Sequence, residues 1–241
     1  MSITEPGSRR KGPARAWHRF KVWLGFGVFW LASVLPHRVH FVRSDAIPRS
    51  GPALLVPNHL AVTETTAIAR MVIGHRRFPH FLIVGHLFKV PLLGHLGRAM
   101  KQIPVDRGST NAAAALELAA AELRKDHLVV IYPEGRISRA ADQRPGPARS
   151  GAARLALTMP EIPVIPIGQW GAKPGWRNVI RRRRVDILVG GPVDLSAWAG
   201  RNDHQASVEA TAAIMTAVTA LVEQVRGEPF DEPIAGTDTA R

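Results

Sequence analysis

The chain has 241 residues, 46% of them hydrophobic, no cysteine and a formal charge of +13. That length suffices for one α/β domain with a sizeable core, and a mean hydropathy of -0.02 excludes general disorder and a polytopic membrane protein. Without cysteine there is no disulfide framework, thiolate nucleophile or thiolate-held metal.

The charge is uneven: residues 1–50 hold nine Lys/Arg against two Asp/Glu, and residues 204–241 two against six. Such a field draws anionic membranes, phosphorylated substrates or nucleic acid. Arginine outnumbers lysine 26 to 6, a compositional bias that weakens inference from any single arginine.

Residues 1–16, polar and rich in Gly, Pro and basic groups, read as a flexible basic arm. Residues 17–36 come next as an element whose apolar run, Val22–Leu35, carries Trp23, Phe26, Phe29 and Trp30. At about fourteen residues the run is short of the roughly twenty that span a bilayer, and no A-x-A-like cleavage site comes after it. It reads as a helix lying in the membrane interface, with a core-packing helix as the alternative. Residues 37–226 then form the α/β domain, and residues 227–241 an acidic disordered tail.

Within that domain, short apolar runs at Ala53–Val56, Phe81–Val84, Leu128–Tyr132, Val164–Ile167 and Val185–Val189 read as strands. Glu64–Ile73, Asn111–Arg124, Gly151–Met159 and Ser207–Val225 read as helices. The alternation predicts a mainly parallel central sheet flanked by helices.

Three segments could carry chemistry. Asn58-His59 comes after the first of these strands, with Thr63 placed to cap a helix that starts at Glu64. A histidine there suits a general base, and a carboxylate on its other nitrogen would orient it. Taken alone, the pair reads more readily as a surface histidine followed by a helix-start acid. Next, Ile103-Pro104-Val105-Asp106-Arg107 ends a strand before Gly108-Ser109-Thr110, where a guanidinium beside a helix start would bind an anion; an ordinary Asp-Arg turn is equally compatible. Finally, Tyr132-Pro133-Glu134-Gly135-Arg136 succeeds another strand, with Gly135 permitting close backbone approach and Arg136 and Arg139 adding charge; Glu134 there would orient the arginines or accept substrate hydroxyls, and a solvated basic loop that includes Arg144 and Arg149 is the alternative. The Arg181–Arg184 run reads as a solvated or membrane-facing turn. His75, His80, His86 and His95 lack ligand spacing and acidic companions, so no metal is expected. No G-x-S-x-G elbow, P-loop or dinucleotide fingerprint is present.

The order of these blocks, Asn58-His59-x4-Glu64, Pro91-x2-Gly94 leading to Ile103–Arg107, Tyr132–Gly135 and Val164–Ile167, resembles the glycerolipid acyltransferase family, which includes the PlsC-type lysophosphatidate acyltransferases. The resemblance implies an α/β domain behind an N-terminal membrane-associating helical element, with His59 as the base. It places Glu64 where the family usually has aspartate. Arg107, Glu134 and Gly135 match positions that bind the glycerol-phosphate acceptor, and Arg136 adds a shifted basic group. Arg149-Ser150-Gly151 is similar to the family's basic-small-Gly segment. Two departures stand out: Glu134-Gly135-Arg136-Ile137-Ser138 replaces the usual Glu-Gly-Thr-Arg-Ser, and Gly85-His86 replaces a Lys-Glu pair.

The activity implied by the resemblance is that of an O-acyltransferase, moving an acyl group from acyl-CoA or acyl carrier protein to a lysophospholipid, 1-acylglycerol-3-phosphate foremost. Glycerol-3-phosphate, another lysolipid or a glycolipid are alternative acceptors, and a non-catalytic basic binding protein is a remoter reading. Neither cofactor nor nucleic acid is expected. The location implied is the cytoplasmic face of the cell membrane.

Overall fold

The computed structural model describes residues 37–105, 111–172, 183–201 and 203–230. The basic arm, the 17–36 element, Arg107 and most of the acidic tail lie outside the described residues.

Among the described residues seven strands form one sheet: β1 (His37–Val42), β2 (Ala53–Pro57), β3 (Pro79–Val84), β4 (Ile103–Val105), β5 (Leu128–Val130), β6 (Val164–Trp170) and β7 (Arg183–Val189). Their spatial order is β1-β7-β6-β2-β5-β3-β4. Every pairing is parallel except β6 with β7. The helices are α1 (Val62–Gly74), α2 (Pro91–Ala99), α3 (Asn111–Leu123), α4 (Gly151–Thr158) and α5 (His204–Arg226). The expected α/β class is therefore present.

β2 is central and all five of its residues are buried, which is why it reads as an unbroken apolar run. Its side chains alternate between two cores. Leu54 and Val56 join α3, α4 and α5 on one face, while Ala53 and Leu55 join α1 on the other. By length and composition α5 could cross a membrane. Here it lies along β6, with Ala210, Ile214, Val218 and Val222 in the core. Asp203 caps its start by accepting from Ala206 N–H at 2.8 Å, and Gly227 closes it at φ +90°. Gly168 on β6 admits this helix, since a Cβ there would stand 2.6 Å from the Leu221 carbonyl carbon.

Several local expectations change. β1 pairs with β7 at the edge and alternates exposed Arg38 and His40 with half-buried Val39 and Phe41, so it has no apolar run to betray it. α2 starts with Pro91 at its first turn. The helix after His59 begins at Val62, so the residue at the capping position is Ala61 rather than Thr63. Arg183 and Arg184 belong to β7 and not to a turn, and Arg184 pairs with Asp186. Residues 227–230 fold back on α5, where Phe230 N–H donates to Glu223 at 2.9 Å and its ring meets the Arg226 guanidinium.

Candidate active site

Register brings the site together. Leu55 of β2 pairs with Val130 of β5, and Pro57 of β2 pairs with Ile167 of β6. The chain leaving β2 therefore emerges between the segments leaving β5 and β6, at the carboxyl end of the sheet where open α/β folds hold their ligands.

Asn58, the first residue beyond β2, is fully buried and pairs with Gln169 as if it were another rung of the ladder. Its amide donates to Gln169 O at 3.0 Å and accepts from Gln169 N–H at 2.7 Å, while the Gln169 amide donates to Asn58 O at 2.7 Å. These bonds fix where the next residue, His59, begins.

His59 is held by its backbone on both sides. Its N–H donates to Glu134 Oε1 at 2.9 Å, and its carbonyl accepts from Ser138 N–H at 2.7 Å. Its imidazole Nδ1 lies 2.7 Å from Glu64 Oε1, and its ring stacks on Tyr132 with centroids 4.2 Å apart. Tyr132 is steadied in turn by donating from its hydroxyl to Thr65 at 3.1 Å. The imidazole keeps 15% of its surface, and Nε2 is the nitrogen that Glu64 leaves available.

Glu64 stands at the third position of α1 and reaches back to accept Leu60 N–H at 2.6 Å. The Ala61 N–H also bonds to Glu64, which makes it the acidic half of a capping box, working without a hydroxyl partner because Ala61 sits at the cap. Burial pushes the Glu64 carboxyl above its usual range, opposed by His59 and the backbone N–H groups of Leu60 and Ala61. An ionised Glu64 accepts the Nδ1 proton and leaves Nε2 with a lone pair, the tautomer a general base needs.

The Tyr132–Gly135 turn closes through Gly135 N–H donating to Tyr132 O at 3.0 Å, with Gly135 at φ +61°. Glu134 is 3% exposed and directs each carboxylate oxygen to a backbone N–H: Oε1 to His59 and Oε2 to Gly146 at 2.9 Å. Burial raises its carboxyl to about 7, against those two N–H groups. The sequence suggested a carboxylate orienting arginines or accepting substrate hydroxyls; the fold turns it inward as a brace for His59. Arg136 and Arg149 are exposed beside it, and the Arg149 Cδ packs 3.4 Å from where a Gly135 Cβ would stand.

Next to this centre lies an apolar cavity of about 170 Å³ between α1, β3 and α2. Thr65, Ala69, Phe81, Phe88, Leu93 and Gly97 are among its walls. Thr65 belongs to both places, since its hydroxyl accepts from Tyr132, the residue stacked on His59.

A buried carboxylate against a partly exposed histidine, on an α/β sheet with an apolar pocket alongside, is an arrangement able to activate a hydroxyl or water for attack. The chain belongs to the acyltransferase family: the profile of that family, described as Acyltransferase, matches residues 38–170, more than half of it. It is an acyltransferase enzyme. Its fold is similar to the crystal structure of the 1-acyl-sn-glycerophosphate (LPA) acyltransferase PlsC from Thermotoga maritima. The TM-score is 0.62 at 20% identity, over 93% of this chain and 86% of that one. No curated protein matches the sequence significantly.

Of the residues singled out in the sequence, the structure joins His59, Glu64, Glu134 and Gly135 in one network and leaves Arg136 at its rim. Gln169 and Gly146 have no signature in the sequence, Ser138 is seen there only as the end of the Glu134–Ser138 block, and the stacking role of Tyr132 is unmarked. Only the strand register could have announced them.

Proposed function

We propose that the enzyme transfers a fatty acyl group from a thioester, on coenzyme A or acyl carrier protein, to the free hydroxyl of a lysophospholipid, with 1-acylglycerol-3-phosphate as the preferred acceptor. The observation that carries this is the 2.7 Å His59–Glu64 contact on a backbone clamped at both its N–H and its carbonyl. In this reading His59 Nε2 takes the hydroxyl proton while Glu64 stabilises the imidazolium. The oxygen attacks the thioester carbonyl carbon, the tetrahedral intermediate expels the thiolate, and the imidazolium returns its proton to that sulfur. The thioester supplies its own activation, so the reaction is written with no cofactor. Holding the hydroxyl and carbonyl together contributes much of the rate.

Exposed Arg136 and Arg149 beside the Glu134–Gly135 turn support an anionic acceptor headgroup, and Arg107 is assigned to the same headgroup from the sequence pattern. The apolar cavity supports a hydrocarbon chain. Its 170 Å³ resembles cavities that accept a benzene-sized molecule, room for only part of a fatty chain. The basic and apolar sequence of residues 1–36 supports work at an anionic bilayer surface, the cytoplasmic face of the cell membrane. The test is purified protein with radiolabelled acyl-CoA and a panel of lysophosphatidate, glycerol-3-phosphate, other lysolipids and a glycolipid acceptor. Lysophosphatidate is expected to be acylated fastest; a faster rate with any other acceptor would reassign the substrate.

A further inference from the structure

At the opposite end of the sheet, the fold brings His80 onto a second histidine–carboxylate pair, Glu122 and His127. His80 is the second residue of β3 and His127 immediately precedes β5. Because Pro79 of β3 pairs with Leu128 of β5, the two histidines meet where these strands enter the sheet. Glu122, in the last turn of α3, faces them. His80 lacks an acidic companion in sequence only because Glu122 is 42 residues away along the chain; the fold closes that gap.

The chemistry of the three side chains is well defined. His80 is 3% exposed, and its Nδ1 lies 2.9 Å from the carbonyl of Lys101. A carbonyl only accepts, so Nδ1 carries the proton and Nε2 keeps its lone pair. That bond to a backbone carbonyl is the outer contact that metal-binding histidines commonly make with their second nitrogen. His127 stacks on His80 with centroids 4.7 Å apart and planes 14° from parallel. Its Nδ1 is 2.6 Å from Glu122 Oε2, while Lys125 holds Glu122 Oε1 at 2.7 Å.

We infer that His80, Glu122 and His127 form a binding site for a divalent transition ion of the zinc class, remote from His59. One donor atom from each residue lies within 4.8 Å of the others. Tetrahedral zinc needs its ligands about 3.4 Å apart for bonds of about 2.1 Å, so small rotations of the partly exposed His127 and Glu122 side chains close the site. The ion takes the place of the proton between His127 Nδ1 and Glu122 Oε2, that proton moves to His127 Nε2, and His80 supplies Nε2. Water completes the shell. Two imidazoles and one carboxylate suit zinc, cobalt, nickel or copper and are poor ligands for calcium or magnesium. The ion would tie β3, α3 and β5 together. Lys125 keeps its hold on Oε1, and its charge opposes the ion.

The experiment uses the tag-free full chain, stripped with chelator and titrated with Co²⁺ alone, monitoring the visible absorption of tetrahedral cobalt, then with Zn²⁺ as competitor. One equivalent of Co²⁺ should bind and be displaced by Zn²⁺. His127→Gln, at a partly exposed position that should not disturb folding, and His80→Ala should each weaken binding at least tenfold. Lys125→Ala should tighten it by removing the opposing charge. His59→Ala should bind as the parent does. The inference is overturned by absence of saturable binding, by binding indifferent to His127→Gln, or by loss of binding in His59→Ala, which would place the ion in the catalytic centre.

Discussion

Replacing Glu64 with glutamine tests the orienting carboxylate while keeping its size. Glu64 Oε1 serves both His59 Nδ1 and Leu60 N–H, at 2.7 and 2.6 Å, in a fully buried setting. A glutamine carbonyl can still accept from both. What it cannot do is carry the charge that balances an imidazolium. With charge centres about 4 Å apart and an effective dielectric near 20, that balance is worth about 4 kcal/mol. Counting only the change from a charged to a neutral hydrogen bond gives about 1.5 kcal/mol. The expected loss in kcat is therefore between about 10-fold and 1,000-fold, with KM nearly unchanged because the imidazolium forms only as the reaction proceeds. Glu64→Asp, which keeps the charge, should lose less than Glu64→Gln. The assay is steady-state acyl transfer with each variant, beside thermal melts to establish folding. A folded Glu64→Gln protein with kcat within about threefold of the parent would refute the orienting role.

Other features of the structure are open to test as well. Glu134 has its carboxyl raised to about 7 in the fold from an ordinary 4.5. Its contribution to stability is fully present below pH 4.5 and is lost as pH rises through about 7, by at most roughly 3 kcal/mol. Measured by urea unfolding, the stability of the parent relative to Glu134→Gln should thus fall between pH 5 and 8; a flat difference would contradict the assigned environment. Gly168→Ala drives a methyl into the α5 backbone at Leu221 and Val222, costing about 1–3 kcal/mol and several degrees of melting temperature. Ala69→Phe fills the apolar cavity and should shift donor preference toward shorter acyl thioesters, read from rates across a chain-length series.

The strands at 53–56, 81–84, 128–132, 164–167 and 185–189 were legible because buried parallel strands are continuous apolar runs bounded by Pro, Gly and polar residues. β1 was not, because an edge strand with Arg38 and His40 on its outer side carries only alternate apolar residues. The His59–Glu64 partnership was visible as a motif, since five positions of separation suffice for a helix-start acid to reach back. What Glu134 does could not be read locally. Its partners are backbone groups at His59 and Gly146, and the first is set by the pairing of β2 with β5. The same holds for Asn58 and Gln169, 111 residues apart and joined only because β2 lies against β6. His80 was hidden for the same reason: it meets Glu122 and His127, themselves five positions apart, only because β3 lies against β5.

The central claim is that His59 is the base that activates an acceptor hydroxyl. It is tested most directly by a single-turnover measurement with radiolabelled acyl-CoA and lysophosphatidate, comparing the parent with His59→Ala under conditions where both are folded. The parent should form labelled phosphatidate rapidly, and the rate should be at least 1,000-fold lower without the imidazole. A folded His59→Ala protein that transfers the acyl group at the parental rate would contradict the claim.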